Sequence, residues 1–416
     1  MRRKLSSFSA FLDAANRLTP CVLSLRDSAD LVKEFERIGV DWGGIKIMRA
    51  KGFLRAVKIV GLPVFLANIL KQEMLSLGGD VAISRGSITG QDKVTDCIIL
   101  GTLFQFSALE QKLKKQPFGF SRISEKVAGA LKNVERKQLS LDFRGKRFVL
   151  GKKTFVMGII NVTPDSFSGD GLLKGGSASA LAQAVNMIES GADMLDIGGE
   201  SSRPGSRRIS VKAEIKRVLP ALKSLKSKVK APISVDTMKS EVAHAALQEG
   251  ASIINDISAG RFDKKILKVV ARHKAGIVLM HMKGTPSTMQ KNPHYDDVME
   301  DIFSFLAESV QRAQDAGIED RRIIVDPGIG FGKDLGHNLE ILRRLAEFKS
   351  LGKPVLIGVS KKRFIGQILK KGVDERQWGT MAAISQAIAG YVDIVRVHDV
   401  KEAKQVAAVS DRIVRN

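Results

Sequence analysis

From Val156 onward one pattern repeats: a short apolar run ends in a polar residue or a glycine loop, and a stretch with apolar positions at helical spacing follows. The runs are "VMGII" before Asn161, "MLDI" before Gly198, "ISVD" ending at Asp236, "SIIND" reaching Asn255 and Asp256, "IVLMH" ending at His281, "IIVD" ending at Asp326, "VLIGV" before Ser360, and "DIVRV" before His398. Helices are predicted between them, such as "SASALAQAVNMIES" closed by Gly191 and "KSEVAHAALQEG" closed by Gly250. Strand alternating with helix predicts a parallel sheet, and eight units predict closure into a (β/α)₈ barrel, with a doubly wound open sheet as the alternative. In a barrel the polar residues that end the runs would meet at the carboxyl ends of the strands.

The front of the chain reads differently. "ANILKQEMLSLGG" fits a helix closed by Gly78 and Gly79, "DCIILGTLF" a buried strand, and "FRGKRFVLGKKTF" a short hairpin. "GGDVAISRGSITG" fits a strand with flanking turns better than a glycine-rich binding loop. A boundary near residue 140 divides a smaller α/β domain, 1–140, without a recognisable motif, from a barrel domain, 141–416.

The charge of +23 is denser at the front, where residues 1–150 hold 26 Lys/Arg against 14 Asp/Glu. A basic surface serves nucleic acid or anionic small molecules equally well. Aromatics are few and no RNP-like, zinc-finger or helix-turn-helix signature is present, so nucleic acid is set aside as a partner. Cys21 and Cys97 give no disulfide framework and no metal-ligand spacing, which fits a reducing cytoplasm. "MRRKLSSFSAFLDAANRL" lacks the apolar core of a secretory signal, an organellar leader being the alternative, and "IVGLPVFLANIL" is too short to span a bilayer.

The loop "DPGIGFGKD" invites a phosphate-binding reading, which its spacing refuses. Lys333 is followed by Asp334 rather than Ser/Thr, and Gly328, Gly330 and Gly332 alternate strictly, so neither the P-loop nor the dinucleotide fingerprint fits. What remains is a strand delivering Asp326, then a mobile glycine loop. Asp236, Asn255, Asp326 and Lys362 at a barrel mouth can read the donor and acceptor edge of a flat heterocycle. Arg396 and His398 alternate on one strand and share a face suited to a phosphate or diphosphate, with Asn161 on the same ring of strand ends. Plainer readings stand beside these: Asp236 as a helix cap, His281 as a satisfied core histidine, His244 as packing or surface, and "SKKRF" as a solvated turn.

These residues lie in "MGIINVTPDSFS", "DIGGESSRPGS", "SVDT", "NDISAG", "LMHMKGTPSTMQ", "DPGIGFGK", "SKKRFIG" and "RVHDV". In that order the motifs resemble the dihydropteroate synthase family of folate biosynthesis, from about Val156 to the C-terminus. The resemblance implies condensation of 6-hydroxymethyl-7,8-dihydropterin diphosphate with p-aminobenzoate to give dihydropteroate and diphosphate. It implies pterin binding by Asp236, Asn255, Met280, Asp326, Gly330 and Lys362. It further implies a diphosphate grip by Asn161, Arg396 and His398, with Mg²⁺ on Asn161. Candidate walls for p-aminobenzoate are Phe167, Ser202, Arg203, Pro204, Phe331 and Arg363. Lys362, Arg396, His398 and a first-loop carboxylate, Asp170, are the implied catalytic set, and a homodimer through the later helices is a further implication.

Two positions depart from the family pattern. Ser168-Gly169-Asp170-Gly171 stands where Ser-Asp-Gly-Gly is common, shifting the loop carboxylate by one. Arg363 replaces a common serine and offers the aminobenzoate carboxylate a charge-assisted partner instead. The alternatives are a methyltetrahydrofolate-dependent methyltransferase, which would need a corrinoid partner, and a pterin-binding protein without catalysis.

Overall fold

The computed structural model describes residues 19–163, 177–202 and 205–415. It divides into two compact units, Met1–Gly129 and Ala130–Asn416. In the first unit α1 (Ser28–Arg37) starts on the Asp27 carboxylate, which accepts from the backbone N–H groups of Ala29 and Asp30. Then come α2 (Trp42–Met48), β1 (Leu54–Pro63), α3 (Val64–Leu75), β2 (Asp80–Ile83), α4 (Arg85–Thr89), β3 (Val94–Thr102), α5 (Leu103–Leu113) and α6 (Phe120–Glu135), within which the division at Gly129 falls. The strands form an antiparallel sheet in the order β1-β3-β2. Its buried face carries Val81, Cys97 and Ile99, and α3 and α5 supply Leu70, Met74, Phe106 and Leu109. The run "DCIILGTLF" does not stay a strand to its end. Thr102 and Gln105 form a reciprocal capping box that starts a helix at Leu103.

The second unit opens with the hairpin β4 (Leu139–Phe143) and β5 (Lys146–Leu150), turning through Arg144 and Gly145, both at positive φ. The barrel follows: β6 (Phe155–Asn161), α7 (Ser177–Glu189), β7 (Met194–Gly198), α8 (Val211–Lys226), β8 (Ile233–Asp236), α9 (Ser240–Glu249), β9 (Ile253–Asp256), α10 (Lys265–Arg272) and β10 (Gly276–Met280). It continues with α11 (Val298–Asp315), β11 (Ile323–Asp326), α12 (Leu335–Arg343), β12 (Leu356–Ile357), α13 (Arg363–Leu369), α14 (Gln377–Ala389), β13 (Ile394–Val397) and α15 (Val400–Val414). All strand pairs in the order β11-β10-β9-β8-β7-β6-β13-β12 are parallel, and a Val325–Val355 bridge joins the two ends.

Two apolar layers hold the barrel. Alternate strand residues such as Leu195, Ile197, Val235, Ile254, Leu279 and Val325 pack outward against the helices. Inside, Met157, Met194, Ile253, Val278, Ile324, Leu356 and Ile394 pack with Leu141, Phe143 and Leu150, so the hairpin plugs the amino-terminal end of the barrel. Gly276 makes room for that plug, since a Cβ there would lie 2.3 Å from the Phe143 ring. With one end closed, the polar residues are confined to the other. No helix among the described residues is long and apolar enough to cross a membrane.

Candidate active site

The same two-residue period that sends aliphatic side chains to the helices turns Asp196, Asp236, Asn255, Asp326 and Arg396 into the barrel. Arg396 lies between two acids: its Nε is 2.6 Å from Asp196 Oδ2 and its Nη2 is 3.1 Å from Asp236 Oδ2. Asn255 Nδ2 donates to the same Asp196 oxygen at 3.0 Å. Asp196 is fully buried, and its Oδ1 has no hydrogen-bond partner among the described residues. Asp196 is not marked by the pattern of run ends, because "MLDI" does not end in it. The available signal was its odd-numbered spacing from the outward-facing Leu195 and Ile197.

Burial sets the protonation of the group. It pushes the Asp236 carboxyl up to about 7, against the lowering pull of Arg396. Burial also lifts Asp326 to about 6, opposed by the Gly328 N–H, which donates to its Oδ1 at 2.7 Å, and by the Lys362 charge. Lys362 is pulled down to about 8 by burial and by the nearby Arg396 cation. Burial disfavours the Arg396 cation too, but Asp196 and Asp236 more than reverse this and keep its pKa raised.

The glycine loop is not the mobile segment its composition suggests. Nearly every peptide in it is held. Asn338 Oδ1 accepts from Gly330 N–H at 2.7 Å, Gln290 donates to the Gly330 carbonyl at 2.7 Å, and Tyr295 donates to the Gly332 carbonyl at 2.7 Å. The alternation of glycines answers to positive φ and to close backbone approach. A Cβ at Gly328 would lie 2.0 Å from the His281 carbonyl oxygen, and one at Gly332 2.5 Å from that of Lys283. At Gly330 it would lie 3.3 Å from Lys362 Cδ. The loop thereby sets the Phe331 ring against Lys362, whose Nζ is 4.2 Å from the ring centroid. Met280 and Phe331 belong to one apolar cluster with Ile257, Met282 and Met289, a flexible thioether-rich wall suited to a flat ring.

The remaining candidates sit around this floor. His398 and Ser360 are joined across the strand ends, with Nδ1 and Oγ 2.9 Å apart, and the His398 N–H donates to the same hydroxyl. Asn161 ends β6 beside Gly198 of β7. Ser202 lines a small cavity with Asp236, Met238, Ile257 and Glu200. The loop bearing Ser202 is held from below by Lys239, whose Nζ is 2.5 Å from both Glu200 and the buried Glu214, an ion cluster that spacing did not reveal. Arg363 is exposed at the start of α13, next to Lys362. Phe167, Asp170, Arg203 and Pro204 lie outside the described residues. Among the described residues no three His, Cys, Asp or Glu side chains gather as metal ligands.

Residues 157–398 match the family described as pterin binding enzyme. The chain is 47% identical to the dihydropteroate synthase of Synechocystis over 269 residues, 64% of this chain and 93% of that one. It is 41% identical to a probable bifunctional folylpolyglutamate synthase/dihydropteroate synthase of Halobacterium salinarum over 386 residues, 93% of this chain but 45% of that one. That stretch is longer than residues 130–416, so the likeness reaches into the first unit. Among solved structures, the Yersinia pestis dihydropteroate synthase in a sulfonamide drug complex matches with a TM-score of 0.63 at 38% identity, over 66% of this chain and 99% of that one.

Proposed function

The chain belongs to the pterin binding enzyme family and is a dihydropteroate synthase of folate biosynthesis; on that premise we propose how the barrel mouth divides the work. The observation that carries the division is the acid–amide–guanidinium group at one end of a barrel whose other end is plugged. Asp236, Asn255 and Asp326 present acceptors and an amide to the edge of the pterin, and Asp196 Oδ1 is a buried acceptor still in need of a donor. Lys362 donates to the ring, while Gly330, Met280 and Phe331 lie against it.

Arg396 and His398 hold the diphosphate. As the bond between the pterin methylene carbon and the diphosphate oxygen breaks, charge grows on the leaving oxygens, and the preformed Arg396 cation, with His398 beside it, stabilises that charge without reorganisation. The amine of p-aminobenzoate forms the new C–N bond and loses a proton, and Asp170 is the loop carboxylate assigned to this step by resemblance. Ser202, Phe331 and Arg363 would line the aminobenzoate pocket, with Arg363 as partner for the carboxylate; Phe167, Arg203 and Pro204 are assigned to it by resemblance alone. The sulfonamide bound by the Yersinia pestis enzyme would compete for this pocket.

Asn161 would hold magnesium. A single amide oxygen at a strand end suits a hard cation that keeps its waters and takes its other ligands from substrate phosphates. When bound, the ion neutralises charge on the diphosphate.

We assign a homodimer to the face made by α13, α14 and α15, where Ile368, Trp378, Val409 and Ile413 are exposed. The front unit is an accessory domain aiding stability, assembly or substrate access. Removal of residues 1–135 with folding, oligomeric state and kinetics unchanged would refute that role. We propose the cytoplasm as the site of the reaction; the two unpaired cysteines support this reading.

The direct test is mass-spectrometric turnover of the full-length chain with dihydropterin diphosphate, p-aminobenzoate and Mg²⁺. Dihydropteroate formed by the wild type and lost in Lys362→Ala is the expected result. Undiminished product from Lys362→Ala would remove that residue from the catalytic set.

A further inference from the structure

The glycine loop ends in a lysine that the reaction leaves without a task. Lys333 is 2% exposed, and its Nζ contacts neutral acceptors: His281 Nδ1 at 2.9 Å, the Phe331 carbonyl at 3.1 Å and the His281 carbonyl at 3.5 Å. His281, just past β10, donates its own backbone N–H to the Asp326 carbonyl at 2.9 Å. Its ring stands edge-on to Phe305, with centroids 4.9 Å apart. Burial, followed by the charges of Lys333, Arg261 and Lys283, keeps that ring neutral, so its Nδ1 can accept from an ammonium. A continuous chain of contacts therefore runs from Lys333 through His281 to Asp326.

A tether alone would not call for a lysine here. Tyr295, Gln290 and Asn338 already hold the loop with uncharged groups. Burial pulls Lys333 well below an ordinary lysine; Asp326 is the charge in reach that works to keep its proton, and Lys362 opposes it. The influence is reciprocal: Asp326 is faced by Lys362 from just before α13, Lys333 from its own loop and Arg396 from β13, and each of these favours its ionised form.

We propose that Lys333 and His281 are positioning residues for the pterin-holding pair, tying the glycine loop to the end of β10 behind Asp326. The proposal rests on the reading of Asp326 and Lys362 as pterin ligands. Neither Lys333 nor His281 is assigned contact with the substrate.

The test is calorimetric titration of the full-length protein with 6-hydroxymethylpterin, with circular dichroism to establish folding. Lys333→Met is expected to weaken binding about tenfold or more, whereas Tyr295→Phe, which removes a neutral tether, stays within about threefold of wild type. His281→Gln, which keeps an acceptor, is expected to bind better than His281→Phe. A folded Lys333→Met with wild-type affinity, or a loss in Tyr295→Phe equal to that in Lys333→Met, would overturn the proposal. Should Lys333→Met fail to fold, His281→Phe against Tyr295→Phe decides by the same criterion. Asp326→Ala run in parallel separates the two levels. Unchanged binding there defeats the pterin reading itself and this proposal with it; lost binding there beside unchanged binding in Lys333→Met defeats this proposal alone.

Discussion

Replacing Gly328 by alanine tests whether packing against β10 is what demands glycine after Asp326. The residue has φ +71, and an added Cβ would lie 2.0 Å from the His281 carbonyl oxygen, a backbone atom that cannot rotate away. Left-handed backbone at an alanine costs about 1–2 kcal/mol. Relieving the overlap must move the peptide whose N–H donates to Asp326 at 2.7 Å, and losing a hydrogen bond to a charged group costs roughly 1.5–3 kcal/mol. Together these give roughly 3–5 kcal/mol, or a fall in melting temperature on the order of 10 °C for a domain of this size. Gly145 is the control. It has φ +79 in the β4–β5 turn with nothing within 4 Å of its would-be Cβ, so Gly145→Ala carries only the backbone cost and lowers melting by a few degrees. Scanning calorimetry of the two variants and titration with 6-hydroxymethylpterin read both consequences. Equal melting shifts, or unaltered pterin affinity in Gly328→Ala, would refute the account.

Three further outcomes follow from the same geometry. Burial raises Asp236 to about 7 and Asp326 to about 6 from an ordinary 3.8, so between pH 4 and 7 the folded state binds more protons than the unfolded one. Their contribution to unliganded stability is therefore lost as pH rises through 6–7, whereas pterin affinity rises over the same window as the carboxylates ionise. Melting and calorimetric titration at pH 5 and pH 8 check both slopes, and a pH-independent pterin affinity would contradict the assignment. Arg396→Met leaves two buried acids without their cation and should cost about 3–5 kcal/mol in denaturant unfolding, an upper figure because one acid can take up a proton. Adding Asp196→Asn should restore much of the stability but not turnover; recovered turnover would exclude Arg396 from the diphosphate grip. Trp378→Asp should give a folded monomer in sedimentation analysis, and an unchanged dimer, or a wild type that is already monomeric, would rule out the α13–α15 face.

The barrel was legible because each strand is a short apolar run with a polar end, and a parallel strand buried on both faces has little other way to be written. Asp236, Asn255 and Asp326 could be picked out because they stand at those ends, where the strand leaves the apolar layer. Asp196 could not be found that way. It lies inside its run and faces inward by parity alone, and its partners Asn255 and Arg396 are 59 and 200 residues away. The glycine loop misled in the opposite sense. Three glycines in five residues mean flexibility when nothing surrounds them, but here each meets backbone or the Lys362 side chain, and the missing Cβ atoms permit contact rather than motion.

Lys333 shows the same limit most sharply. In the linear motif it is the residue that would grip a phosphate, and only its burial beside His281 and Phe331 shows that it faces the interior. Spacing along a chain constrains which face of a strand or helix a residue occupies. It carries no information on which distant groups share that face, and charge compensation at a buried site is decided by those groups. The polar residues most readily found from sequence are therefore those at the ends of strands, where the substrate arrives. Asp196 and Lys239, which brace those ends, become visible only when the strands are brought together, and so do the partners of His281 and Lys333, though both residues stand out in the sequence.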